Sequence, residues 1–159
     1  MARFKVLVAT LAVSLAMAAA AESASAAVAQ SASTAVVYRG TGTLRAGSVT
    51  FKSTAQWNVN RWSAGRYTLV GRVAQLSPAP PRSPPRWNVY RGSATVGFVT
   101  LDPLGRWRIY RAGELVGTTR LVGDRWGVYR GTVRVGTVTA SPGGAAAGAG
   151  LLLLVPTDA

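Results

Sequence analysis

The side chains in this sequence best equipped for chemistry are guanidinium groups and phenol rings set at a fixed spacing. Arg86 and Tyr90, Arg106 and Tyr110, and Arg125 and Tyr129 are each four residues apart. A planar guanidinium binds phosphate or carboxylate through two parallel donors. An aromatic ring stacks on bases or sugars and attracts cations to its face. Such a set holds an anionic polymer rather than transforming it, and the candidate ligand-binding residues are Arg86, Tyr90, Arg106, Arg108, Tyr110, Arg125 and Tyr129. A purely structural role competes with this one. Cross-strand Arg and Tyr pairs stabilise exposed sheet faces, and a tyrosine can cover a strand glycine such as Gly97, Gly117 or Gly136.

The equipment of an enzyme is missing. The chain has neither cysteine nor histidine, which removes thiolate chemistry, Ser-His-Asp triads and the commonest metal ligand. Beyond the N-terminal segment the acids are Asp102, Glu114, Asp124 and Asp158. Asp102 and Asp124 fall in expected turns, where Asp serves the backbone, and nothing pairs two carboxylates as a glycosidase needs. A Ser–Lys site would rest on Lys52 with Ser48 or Ser53, at spacings that match no signature. The expectation is a protein that is not an enzyme, with no catalytic residues, no metal and no cofactor.

The elements that position the arginines and tyrosines come from an internal repeat. Arg86-Trp87-Asn88-Val89-Tyr90-Arg91-Gly92, Arg106-Trp107-Arg108-Ile109-Tyr110-Arg111-Ala112 and Arg125-Trp126-Gly127-Val128-Tyr129-Arg130-Gly131 align without gaps. Each leads to a Val-Gly pair whose glycine lies ten residues after the tryptophan, and the tryptophans recur after 20 and 19 residues. Trp57-Asn58-Val59, followed after a four-residue expansion by Leu69-Val70-Gly71, is a weaker copy. Val37-Tyr38-Arg39-Gly40 resembles Val89-Tyr90-Arg91-Gly92. Trp, Tyr, Val, Ile and Thr suit a pleated surface. Gly92-Ser93, Ala112-Gly113 and Gly131-Thr132 fit two-residue turns, with glycine in first position supplying the positive φ of type II′. Each copy therefore reads as a β-hairpin. Alternation puts Trp and Val on a buried face and Arg and Tyr on the other. With Ala112-Gly113 as the turn, Ile109 would face Val116 and Trp107 would face Thr118. The predicted fold is all-β: an antiparallel meander of eight or nine strands, closed as a small barrel or folded as a two-layer sandwich.

The rest of the chain divides by composition. Residues 1–26 have the layout of a secretory signal peptide. Arg3 and Lys5 precede an uncharged run from Val6 to Ala21, and Ala24-Ser25-Ala26 fits a cleavage site. Residues 27–33 form a small-residue lead-in, and residues 34–139 form a single repeat domain with a proline-rich loop at 77–85. Residues 140–159 make an Ala/Gly-rich tail whose apolar end, Leu151 to Val155, reads as a last strand or a sticky end. The leader carries one net positive charge of the chain's +13, so the mature protein keeps +12. That charge favours anionic partners: acidic polysaccharide, nucleic acid or anionic lipid. The expected function is an exported, non-catalytic binding module that holds an anionic polymer or envelope surface. The alternative is an envelope structural protein that self-associates through the tail or an open strand edge.

Overall fold

The computed structural model describes residues 34–53, 55–76, 84–139 and 141–155. The expected leader (1–26), the lead-in (27–33) and residues 77–83 of the proline-rich loop lie outside the described residues. The strands are β1 (Thr34–Arg39), β2 (Leu44–Ser53), β3 (Gln56–Ser63), β4 (Arg66–Gln75), β5 (Arg86–Arg91), β6 (Ala94–Leu101), β7 (Trp107–Arg111), β8 (Glu114–Val122), β9 (Arg125–Arg130) and β10 (Val133–Val138). One helix follows, α1 (Gly143–Leu153). Each strand pairs antiparallel with its sequence neighbour, and β1 pairs with β10 through Val37↔Val138, Tyr38↔Thr137 and Arg39↔Gly136. The sheet is thus a closed up-and-down barrel rather than a sandwich. It has two more complete hairpins than the three strong sequence copies, because β1–β2 and β3–β4 complete the same wall.

Each hairpin contains the same irregularity. Val37 pairs with Gly47, but Tyr38 pairs with Arg45, so Ala46 bulges. Val70, Val96, Val116 and Val135 are skipped in the same way, each just before the repeat glycine. The extra residue shifts the register expected from simple alternation: Ile109 faces Gly117, not Val116, and Trp107 faces Thr119, not Thr118. A bulge also adds twist, which helps a sheet curl into a barrel. The turns differ in type. Gly92 and Gly131 have φ of 60° and 58°, with a non-positive φ at the next residue, as type II′ requires. Ala112 and Gly113 are both positive, at 50° and 88°, which is the type I′ pattern. An alanine held there costs about 1–2 kcal/mol.

Inside, alternation along the strands turns one apolar residue after another toward the axis. Val37, Val49, Val59, Val73, Val89, Val99, Ile109, Val128 and Val138 are wholly buried. Outside stand Thr50, Asn58, Arg72, Tyr90, Arg108, Thr118 and Arg120, all half-buried or exposed. Phe51, Leu69, Leu115 and Leu121 are exposed on the strands as well.

The interior is filled by α1, every residue of which is buried. The apolar tail is therefore neither a strand nor a sticky end. A helix that is apolar all round needs burial all round, and a tube lined with valine admits only a thin one, which the Gly143-Gly144-Ala145-Ala146-Ala147-Gly148-Ala149-Gly150 run supplies. A β-carbon on Gly143 or Gly144 would overlap the rings of Trp107, Trp126 or Trp87. These rings form a layer over the helix N-terminus, with Trp57 and Trp87 centroids 4.7 Å apart and Trp87 and Trp107 6.1 Å apart. Trp126 donates its indole N–H to the Ser141 carbonyl at 2.8 Å.

At the other end, five apolar residues meet five hairpins. Leu151 lies against Gly97, Leu152 against Gly71, Leu153 against Gly47, Leu154 against Gly136 and Val155 against Gly117. Successive residues step around the barrel by one hairpin. The last turn widens to allow this: the N–H groups of Leu154 and Val155 both reach the Gly150 carbonyl, at 2.9 Å. Full burial of each such side chain contributes about 1.5–3 kcal/mol.

Candidate functional site

Seen from outside, β4 to β9 carry guanidinium groups laid over aromatic rings. Arg72 lies 4.6 Å from the Tyr90 centroid, Arg86 4.0 Å from Phe98, and Arg120 4.5 Å from Tyr129. Phe98 and Tyr110 stack between these pairs at 4.7 Å and 13°. The register explains the juxtapositions: Arg72 faces Tyr90, Asn88 faces Phe98, Phe98 faces Tyr110, and Thr118 faces both Arg108 and Tyr129. The amide of Asn88 donates to the Tyr90 hydroxyl at 3.3 Å. The result is one basic and aromatic band on the outer wall.

The sequence-derived set maps onto this band unevenly. Arg86, Tyr90, Arg108, Tyr110 and Tyr129 share the outer wall, but Arg86, Arg106 and Arg125 do not form an equivalent stripe. Arg106 precedes β7, in the β6–β7 connection, and is bound to Asp102. Arg125 stands 3.9 Å from Asp124 and 6.0 Å from the Tyr38 ring, at the far side of the band. Arg72 and Arg120 belong to the band and were not singled out by sequence, because they lie in second arms, where the repeat is least regular. The tyrosines do not cover Gly97, Gly117 or Gly136, which point inward. Tyr129 instead covers Gly127, two residues before it on its own strand.

Asp102 is committed to its own turn. One carboxylate oxygen accepts the N–H groups of Leu104 and Arg106, both at 2.9 Å, and the other accepts the Arg106 guanidinium at 2.9–3.0 Å and the Arg108 Nε at 3.4 Å. Burial pushes the carboxyl upward, but these hydrogen bonds and the Arg106 charge outweigh it and hold Asp102 below the usual carboxylate range. Held ionised, it offsets part of the charge of Arg106 and Arg108.

A second set of arginines lies at one end of the barrel. Arg39, Arg61, Arg91, Arg111 and Arg130 each lie two residues after an inward Val or Ile, at the hairpin-turn end of the barrel. Arg39 faces Gly136, Arg61 faces Gly47 and Arg111 faces Gly97, so they take inward register positions. Two of them hold the helix C-terminus: Arg39 donates to the Leu153 carbonyl at 3.2 Å, and Arg111 to those of Leu151 and Val155 at 3.0 and 3.1 Å. Cations there satisfy terminal carbonyls and oppose the negative end of the helix dipole. A signal was available, since four of these arginines follow a tryptophan by four residues.

Among the described residues no group of three or more His, Cys, Asp or Glu is placed to hold a metal, and no helix is long and apolar enough to cross a membrane. No protein-family model matches the chain, and no curated protein or solved structure matches it. The outer band is suited to two things: pairing guanidiniums with oxyanions and offering flat rings to flat ligands.

Proposed function

We propose that the protein is an exported, non-catalytic binding module that holds an anionic polymer along the outer wall of its barrel. The observation that carries this reading is the alternation of Arg72/Tyr90, Arg86/Phe98 and Arg120/Tyr129 pairs around the Phe98–Tyr110 stack. A ring fixes the guanidinium above it, which lowers the entropy lost when the guanidinium meets a phosphate, sulfate or carboxylate. Among the described residues α1 fills the barrel axis, so a polymer would lie on the outside. The leader-like N-terminus supports export. Acidic polysaccharide, nucleic acid and anionic lipid remain the partner classes this chemistry fits, and repeated anions at polymer spacing suit a band that crosses several strands. Self-assembly through the tail or an open edge has less to work with: residues 143–155 are buried and the barrel leaves no edge.

The test is the combined variant Arg72→Ala, Arg86→Ala, Arg108→Ala and Arg120→Ala, applied to heparin and to a single-stranded DNA column. Retention should fall well below the parent chain's at moderate salt, by more than in a control in which four arginines away from the band are replaced, with the thermal midpoint little changed. Retention equal to the parent chain's would remove the outer wall as the site.

A further inference from the structure

Four of the five hairpin tips hold aliphatic side chains out in water. Leu44, Leu69, Leu115 and Val133 lie within four residues of the turn glycines Gly42, Gly65, Gly113 and Gly131. They are 69, 61, 54 and 65% exposed. Trp62 and Tyr67 face each other across the β3–β4 tip with ring centroids 4.8 Å apart, and Tyr67 is exposed. Arg45, on the neighbouring β2, lies 5.2 Å from the Trp62 ring. Arg61, Arg66, Arg91 and Arg134 are exposed at the same end. Glu114 is the one acid there among the described residues, and it faces Arg111 across its hairpin. The opposite end also exposes apolar side chains, at Phe51, Leu104, Leu121 and Val122. Its arginines stand beside acids, however: Arg106 is 2.9 Å from Asp102 and Arg125 is 3.9 Å from Asp124. Exposed hydrocarbon and uncompensated positive charge therefore coincide at the hairpin tips.

We infer that the hairpin tips dock end-on to the surface of an anionic lipid bilayer. Leu44, Leu69, Leu115 and Val133 enter the boundary between headgroups and acyl chains, where apolar side chains leave water. Trp62 and Tyr67 combine an apolar ring with a polar edge, so they settle at headgroup level. The guanidiniums of Arg45, Arg61, Arg66, Arg91 and Arg134 meet lipid phosphates. An acidic polymer in water offers nothing to the four aliphatic side chains, and a neutral surface offers nothing to the arginines. An anionic bilayer answers both. The aliphatic positions are spread over β2, β4, β8 and β10, so they suit a broad surface better than a single bound peptide. None of these residues belongs to the outer band, and docking stands or falls independently of the polymer-binding reading.

The deciding experiment is co-sedimentation of residues 27–159 with vesicles of phosphatidylcholine alone, or of phosphatidylcholine and phosphatidylglycerol in equal parts. It is repeated on a tip variant, Leu44→Thr, Leu69→Thr, Leu115→Thr and Val133→Thr, and on an opposite-end variant, Leu104→Thr, Leu121→Thr and Val122→Thr. Threonine suits an exposed strand, and both variants keep every charge. The parent should bind the anionic vesicles at least about tenfold more tightly than the neutral ones. On anionic vesicles the tip variant should lose at least about tenfold and the opposite-end variant less than about threefold. Retention of the tip variant on heparin should match the parent's. That pattern supports docking whether or not the outer band holds a polymer. Anionic vesicles should also move the parent's tryptophan emission to shorter wavelength, and Trp62→Phe should remove that shift. Equal vesicle binding by the parent and the tip variant, equal binding of the two vesicle types, or equal losses in the two variants would each overturn the assignment. So would a loss on heparin as large as the loss on vesicles, or an emission shift that persists in Trp62→Phe.

Discussion

A methyl group on Gly97 would stand where the Tyr110 carbonyl oxygen and a Leu151 methyl already are. The carbonyl belongs to the β6–β7 ladder and cannot move aside without breaking it. Gly97→Ala should therefore lower stability by about 1–3 kcal/mol, read as a shift of the urea midpoint at unchanged slope. A midpoint equal to the parent's would mean that Leu151 is not seated there. Asp102 gives a second residue-scale expectation. Its folded-state carboxyl titrates below the unfolded value of about 3.9. The stability it contributes is fully present above that value and is lost as pH falls through the folded one. Asp102→Asn should thus be less stable than the parent at pH 7, and the difference should shrink below about pH 4. A difference that stays constant from pH 7 to pH 2 would contradict the charge-based role of the turn.

At the scale of elements, the hairpins were legible in the sequence and the helix was not. Trp87, Trp107 and Trp126 announce their strands because a repeat fixes register, turn and face at once. The weaker copies at Val37 and Trp57 belong to the same wall, though their turns and lengths obscure it. The bulges at Ala46, Val70, Val96, Val116 and Val135 leave no signal in simple alternation, which pairs Ile109 one residue out. The segment Gly143–Leu153 carried no helical period, because a helix buried on every side has no polar face to create one. Its glycines argued against a helix by propensity, yet they are what allow it to pass beside Trp87, Trp107 and Val73. The candidate band was half legible: Tyr90, Tyr110 and Tyr129 followed from the repeat, whereas Arg72 and Arg120 required the cross-strand register. A chain ending at Thr139 would keep all ten strands but leave a valine- and tryptophan-lined tube open to water. It should lose cooperative thermal unfolding and bind a hydrophobic dye, and a peptide of residues 140–159 added in trans should restore the transition. An unchanged melt of the shortened chain would show that the barrel does not depend on its helix.

The described residues form a barrel filled by α1, with arginines on the outer wall and at the helix end. With the barrel axis occupied, the proposed site is the outer band, and the charge of +13 on the full chain favours anionic partners. The measurement that tests this most directly is binding of residues 27–159 to single-stranded DNA, duplex DNA, an acidic polysaccharide and anionic vesicles across a salt series. Displacement of one counterion by each of Arg72, Arg86, Arg108 and Arg120 gives a slope of log K against log salt of roughly −3. Such a slope is expected for one polymer class, with binding that outlasts the others as salt rises. Weak binding to all four that vanishes together at the same salt would contradict it.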